Sequence, residues 1–199
     1  MEVQILPAAL SIFLFLVLGA ALALVVVSLR RPANAPLLVA AVLVTTALVA
    51  IAVSPVNVPT VVGLVLALLA LAVGVIGGDP VTRRVLEVAT HGRVHETDDG
   101  GILLAPSRRE GADESDGSTD QQRVVLRGGT TIGYLERTAA VLSIVAGYPE
   151  ALAVVIALKG IGRFSELASA EARERFIIGT LASLLWACVV GALVRLAIW

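Results

Sequence analysis

Little in this chain is built for chemistry. Among 199 residues there is one cysteine, Cys188, so no intrachain disulfide exists; it sits in an apolar run and reads as a small packing residue. Both histidines, His91 and His95, fall in a polar stretch, which excludes a serine or metal protease core inside the apolar segments. Their four-residue spacing beside Glu96 would suit a metal on a helix, but Gly92 interrupts it, so they read as surface histidines. No aspartate lies in an apolar segment, which excludes two-aspartate intramembrane proteolysis. Neither a Walker A sequence nor a dinucleotide-binding fingerprint occurs, and Gly128–Gly129 reads as a bend into the membrane. Charge is scarce too, at 16% of residues against about 25% in soluble domains. These gaps make an enzyme, a resident cofactor or metal, and a nucleic-acid partner unexpected.

What is abundant is apolar sequence, 57% of residues with a mean hydropathy of +0.92. The expected fold class is all-α, a polytopic helical membrane protein with four long transmembrane helices and a short interrupted helical hairpin. The long segments run from Leu6 to Leu29, Ala35 to Val53, Pro59 to Ile76 and Phe176 to Ile198, each near the roughly 20 apolar residues that cross a hydrocarbon core. Pro7, Pro36 and Pro59 are placed in first turns, where a missing N–H is harmless. A cleaved signal needs a positive leader, whereas Glu2 is the only charged side chain before Leu6, so the first segment is expected to be retained with the N-terminus outside. Gly179, Ser183 and Ala187 recur every four residues, a small-residue ridge that should pack on another helix.

Arg30, Arg31, Arg83 and Arg84 flank the first and third segments, and the positive-inside rule puts them in the cytoplasm. Lys159 is the sole lysine among 15 basic residues; that bias, with abundant Ala, Val, Leu and Gly, points to a GC-rich bacterial genome and a bacterial plasma membrane. The division expected is a three-helix region over 1–78, a cytoplasmic and largely disordered loop over 79–131, the hairpin over 132–164, and the last helix over 165–199. Asp79 reads as an N-cap and Pro80 as a first helical residue, opening a short helix that ends at Gly92 and either lies on the membrane surface or extends the third span. Beyond it, Asp98, Asp99, Glu110, Asp113, Glu114, Asp116 and Asp120 face only Arg108 and Arg109. Such a segment cannot bury enough apolar surface to order itself, with Gly101 to Pro106 its one docking patch.

The hairpin is the anomaly, because ionisable residues inside an apolar run need a reason. Read as one span, residues 138–158 would leave Lys159, Arg163, Arg173 and Arg175 outside, against the charge rule. Read as Ile132 to Ala146, a turn at Gly147, Tyr148 and Pro149, and a return from Glu150 to Phe164, all stay cytoplasmic. Each arm then spans about 23 Å, which leaves tilted short spans or a re-entrant pair open. Folding about Tyr148 brings Glu136 and Arg137 level with Lys159, an expected ion pair at the cytoplasmic rim. Glu150 starts the return helix, where the dipole favours an anion, and Ser169 caps a helix stabilised by Glu171 and Arg175. The candidate charges are therefore Glu136, Arg137, Glu150, Lys159 and Arg163.

From Val125 onward the motifs LRGG (126–129), Ile132-Gly133, Leu135-Glu136-Arg137, Pro149-Glu150, Lys159-Gly160, Arg163-Phe164 and ERFIIGT (174–180) resemble the C-terminal half of a group of uncharacterised actinobacterial multi-pass membrane proteins. The resemblance implies that the hairpin is one structural unit and supplies no reaction. The role expected is a non-enzymatic membrane component or assembly subunit, lying in the lipid bilayer, associating with itself or with other membrane proteins, and offering its acidic loop to a cytoplasmic protein. The alternative is a small transporter or channel subunit using the hairpin's charges.

Overall fold

The computed structural model describes residues 2–30, 34–89, 95–96, 102–103, 129–162 and 170–199. Helices α1 (Glu2–Arg30), α2 (Asn34–Ala52) and α3 (Thr60–Ala89) precede a two-residue antiparallel ladder, β1 (His95–Glu96) with β2 (Ile102–Leu103), then come α4 (Gly129–Val145), α5 (Ala151–Gly162) and α6 (Ala170–Ile198). Ladder aside, the architecture is all-α. Among the described residues four helices, α1, α2, α3 and α6, are long and apolar enough to cross a membrane, and this is a membrane-embedded, multi-pass chain.

Two sequence expectations change. No helix starts at Asp79: α3 runs unbroken to Ala89 with Pro80 inside it, so of the two placements for residues 80–89 the continuation of span three is the one observed. Pro7 likewise lies inside α1 rather than in its first turn. The acidic stretch, Ser169, Arg31 and Arg163 lie outside the described residues, as does the Glu171 side chain.

Helices α3 and α6 form the central pair, with α4 against both, α1 and α2 on the far flank, and α5 packed principally on α4. Lipid tails are as apolar as leucine, so burying leucine gains little here, and close approach of small residues holds the helices instead. The partition of α6 follows that rule. Leu181 and Leu185 face outward, while Ser183 and Ala187 are buried. Ala187 sits against Gly74, and Gly179 meets Thr82 and Leu86 of α3, so the ridge read from the sequence does pack on a helix. Its counterpart on α3 is Ala70, Gly74 and Gly78, spaced every four residues.

Two carbonyls of α3 ahead of Pro80 take a side-chain donor from a neighbouring helix: Trp186 Nε1 donates to the Val73 carbonyl at 3.1 Å and Arg137 Nε to the Val75 carbonyl at 2.8 Å.

Helix α4 ends in a Schellman motif. Gly147 has φ +77°, its N–H bonds the Ile144 carbonyl at 2.9 Å, and the Tyr148 N–H bonds the Ser143 carbonyl at 2.8 Å. Pro149 follows and cannot continue the helix, so the apolar run folds back as a hairpin. Arg195 of α6 clamps this turn, donating to the Val145 carbonyl at 3.5 Å with its guanidinium 5.0 Å from the Trp199 ring; a cation at a helix C-terminus also opposes the helix dipole favourably. The Val58 N–H bonds the Ala197 carbonyl at 2.8 Å. The α2–α3 linker, the hairpin turn and the end of α6 therefore share one end of the bundle.

Glycine positions separate packing from propensity. A Cβ on Gly78 would lie 2.1 Å from Arg137 Cδ, whereas one on Gly160 would meet nothing within 4 Å. Gly78→Ala should cost about 1 to 3 kcal/mol through overpacking, and Gly160→Ala should be neutral or stabilise by about 0.4 to 1 kcal/mol. Thermal unfolding of the two variants in detergent should move in opposite directions or only for Gly78→Ala.

Candidate functional site

Consecutive residues on a helix point about 100° apart, so Glu136 and Arg137 of α4 cannot share one partner. The structure sends them opposite ways: Arg137 enters the α3–α6 contact and Glu136 faces α5. Two separate ion pairs result, where one at the hairpin base was expected.

Arg137 is 2% exposed. Its guanidinium spends each nitrogen on a different partner: Nε on the Val75 carbonyl at 2.8 Å, one terminal nitrogen on Ser183 Oγ at 3.0 Å, the other on Asp79 Oδ1 at 2.8 Å. It also lies 5.2 Å from the centroid of the Tyr134 ring. The planar, permanently charged fork of arginine suits this set, and a lysine would reach fewer of them. Gly78 and Gly133 leave the room it occupies. Asp79 is 23% exposed, so the pair sits where the buried bundle meets its polar end.

Glu136 is buried, and its Oε2 accepts from Lys159 Nζ at 2.6 Å, the pairing expected from the sequence. Lys159 also lies 5.6 Å from the Phe176 ring of α6. The second carboxylate oxygen, Oε1, is buried with no hydrogen-bond partner among the described residues. Beside it runs a groove of about 290 Å³ between α4 and α5, lined by Ile132, Leu135, Glu136, Ala139, Val155, Leu158, Lys159 and Gly162.

Glu150 is elsewhere. It is exposed at the opposite end of α5, in the turn before Ala151, where its carbonyl accepts from the Ala153 N–H at 3.1 Å. Eight residues of helix, about 12 Å at 1.5 Å per residue, separate it from Lys159. The structure thus joins Glu136 with Lys159, gives Arg137 new partners and leaves Glu150 apart. Among the described residues no group of three His, Cys, Asp or Glu side chains is placed to hold a metal.

Sequence reasoning missed Asp79, read as a cap, Ser183, read only as a small ridge residue, and Arg195. A signal for the first was present. Arg137 had no acid of its own at the hairpin's base once Glu136 was assigned to Lys159, and Asp79 was the acid nearest an apolar segment on the same side. The chain matches no protein-family model, no curated protein and no solved structure.

Breaking one side of a buried pair strands a charge. Arg137→Met should lower stability by about 3 to 5 kcal/mol, and Asp79→Asn by less because Asp79 is partly exposed. The double variant should fall short of the sum, with a coupling of about 0.5 to 3 kcal/mol. Denaturant titration of the four proteins in one detergent measures it.

Proposed function

We propose that this chain is a non-enzymatic component of a bacterial plasma membrane that associates with itself or with other membrane helices. The observation that carries the reading is the burial of Arg137 with each of its three guanidinium nitrogens donating to a neighbouring helix. A cation fixed by a carbonyl, a hydroxyl and a carboxylate on two neighbouring helices, with every guanidinium nitrogen donating, holds the hairpin in place and lies in the packed interior and not along an open path. Charges within membrane segments often mark pathways, yet here Glu150 lies at the other end of α5 from the ion pair, so the candidate charges form no continuous line. The motifs from Val125 onward, which resemble the actinobacterial group, fall largely on this pinned unit and agree with its being structural.

In this reading both termini lie outside and the loop after Ala89 is cytoplasmic, where its acids are available to a soluble partner. The flanking Arg30, Arg83 and Arg84 support the orientation. The outer face of α5, with Val154, Ile156, Leu158 and Ile161 exposed, offers apolar surface to lipid or to a neighbouring helix. A second reading, a small transporter or channel subunit, draws on one observation, the buried Oε1 of Glu136, which has no hydrogen-bond partner among the described residues.

Two measurements test these proposals. With single cysteines at 57, 115 and 169 in a Cys188→Ala background, an impermeant thiol reagent should label intact cells only at position 57; labelling at 169 contradicts the orientation. The chain reconstituted into vesicles should pass no protons or ions above empty vesicles, and flux that depends on the Glu136 or Glu150 carboxylate favours the transporter instead.

A further inference from the structure

The two arms of the hairpin are held unequally. Helix α4 is fastened to α6 near both ends, by Arg137 to Ser183 and by Arg195 to the Val145 carbonyl. Helix α5 has no buried residue along its 12 positions. Its first turn is anchored, because Leu152 packs against the cluster of Ala140, Val141, Leu184 and Ala187 and the turn before it is the one that Arg195 clamps. Eight residues on from Ala151, about 12 Å along the helix, the contact changes character. There Lys159 Nζ donates to Glu136 Oε2 at 2.6 Å and lies 5.6 Å from the Phe176 ring, and a groove runs between α4 and α5 in place of close packing. A Cβ on Gly160 or Gly162 would meet nothing within 4 Å, and Ile161 between them is 77% exposed.

In a bilayer, an apolar side chain gains little by exchanging lipid for another helix, so the far end of α5 is held chiefly by its ion pair. That contact can be switched. While Glu136 is ionised, moving α5 away would leave a carboxylate facing hydrocarbon without its partner, which is costly. Once Glu136 takes up a proton, the attraction is lost, the neutral acid tolerates an apolar neighbour, and the lysine stem can carry its ammonium toward the interface. The direction follows from the charge: the docked arm is favoured by ionised Glu136 and is lost as pH falls and the carboxylate protonates. Lys159 is the charged group that meets Glu136 from α5; on α4 the adjacent Arg137 turns to Asp79 of α3, and α6 presents the Phe176 ring.

We infer that α5 is a hinged arm, held at its first turn by Leu152 and the clamped turn before it, with the Glu136–Lys159 pair as a proton-sensitive latch at its far end. Released, the arm moves its last turns into the lipid and uncovers the face of α4 that carries Ile132, Leu135 and Ala139. This goes beyond the proposed structural role and does not depend on it. The Arg137 lock keeps α4 in place in both positions, so the motion belongs to α5 alone.

Double electron–electron resonance on the full chain in nanodiscs tests the arm directly. In a Cys188→Ala background, one spin-label pair joins Ile161→Cys at the far end of α5 to Val42→Cys on α2, and a second joins Tyr148→Cys at the hinge to the same α2 position; all three sites are exposed. The Ile161 pair should give one distance at about pH 8 and gain a second population by about pH 4, a range that brackets ordinary glutamate titration. Glu136→Gln, which fixes the neutral state, should raise the ratio of released to docked arm about tenfold at the higher pH, the scale of one coupled pair, and should abolish the pH response. The Tyr148 pair should stay constant throughout. An unchanged Ile161 distance in Glu136→Gln overturns the latch, and a pH response that survives in that variant overturns Glu136 as the group that controls it. Equal movement of the Tyr148 pair contradicts the hinge. Should Glu136→Gln fail to fold, the parental titration decides: a single Ile161 distance across the whole range contradicts the proposal.

Discussion

A guanidinium buried at the meeting point of three helices sets the terms for the rest of this bundle. Arg137 is tolerable there only because three neighbours supply acceptors and two glycines supply space. An unpaired charge deep in a membrane costs about 2.5 to 3.5 kcal/mol on insertion scales, and the arrangement of α3, α4 and α6 offsets that by placing a carbonyl, a hydroxyl and a carboxylate around one side chain. Moving any of the three helices would undo it. The buried pair thus specifies how the helices sit more than it adds stability, in keeping with the weak net contribution of buried salt bridges.

The constraint explains features that look unrelated along the chain. Gly78 and Gly133 are small because Arg137 runs between them. Ser183 is a hydroxyl in a ridge otherwise made of glycine and alanine because one guanidinium nitrogen needs an acceptor. Pro80 is tolerated inside α3 beside a polar cluster where side chains from other helices reach the backbone. At the opposite end, Arg195 does for the hairpin turn what Arg137 does for its base, so α4 is fastened at both ends to α6 and α5 is left at the periphery with one face on α4.

Much of this was legible in the sequence because bilayer physics is stringent: apolar runs of set length must be helices. The hairpin was legible from Gly147-Tyr148-Pro149 and from the cost of placing basic residues outside, and the Glu136–Lys159 pair from counting outward from that turn. The Arg137–Asp79 pair was not, since it joins positions 58 residues apart and depends on which helices are neighbours. Asp79-Pro80 is also a strong local signal for a helix start, and tertiary context overrode it: the carboxylate that would have capped a helix is held by a guanidinium, and the helix continues through the proline. The ridge on α6 was visible as a packing face, but nothing in its spacing named α3 as the partner or Ser183 as a ligand.

The account's central claim is that Arg137 is locked in the bundle interior. Solution NMR of the ¹⁵N-arginine-labelled chain in nanodiscs reads it directly, with the Arg137 side-chain signal assigned by its absence in Arg137→Lys. The account predicts a Nε–H resonance shifted away from those of water-exposed arginines and persisting for minutes or longer after transfer to D₂O. An Arg137 signal that coincides with the exposed arginines and exchanges as fast as they do would contradict it.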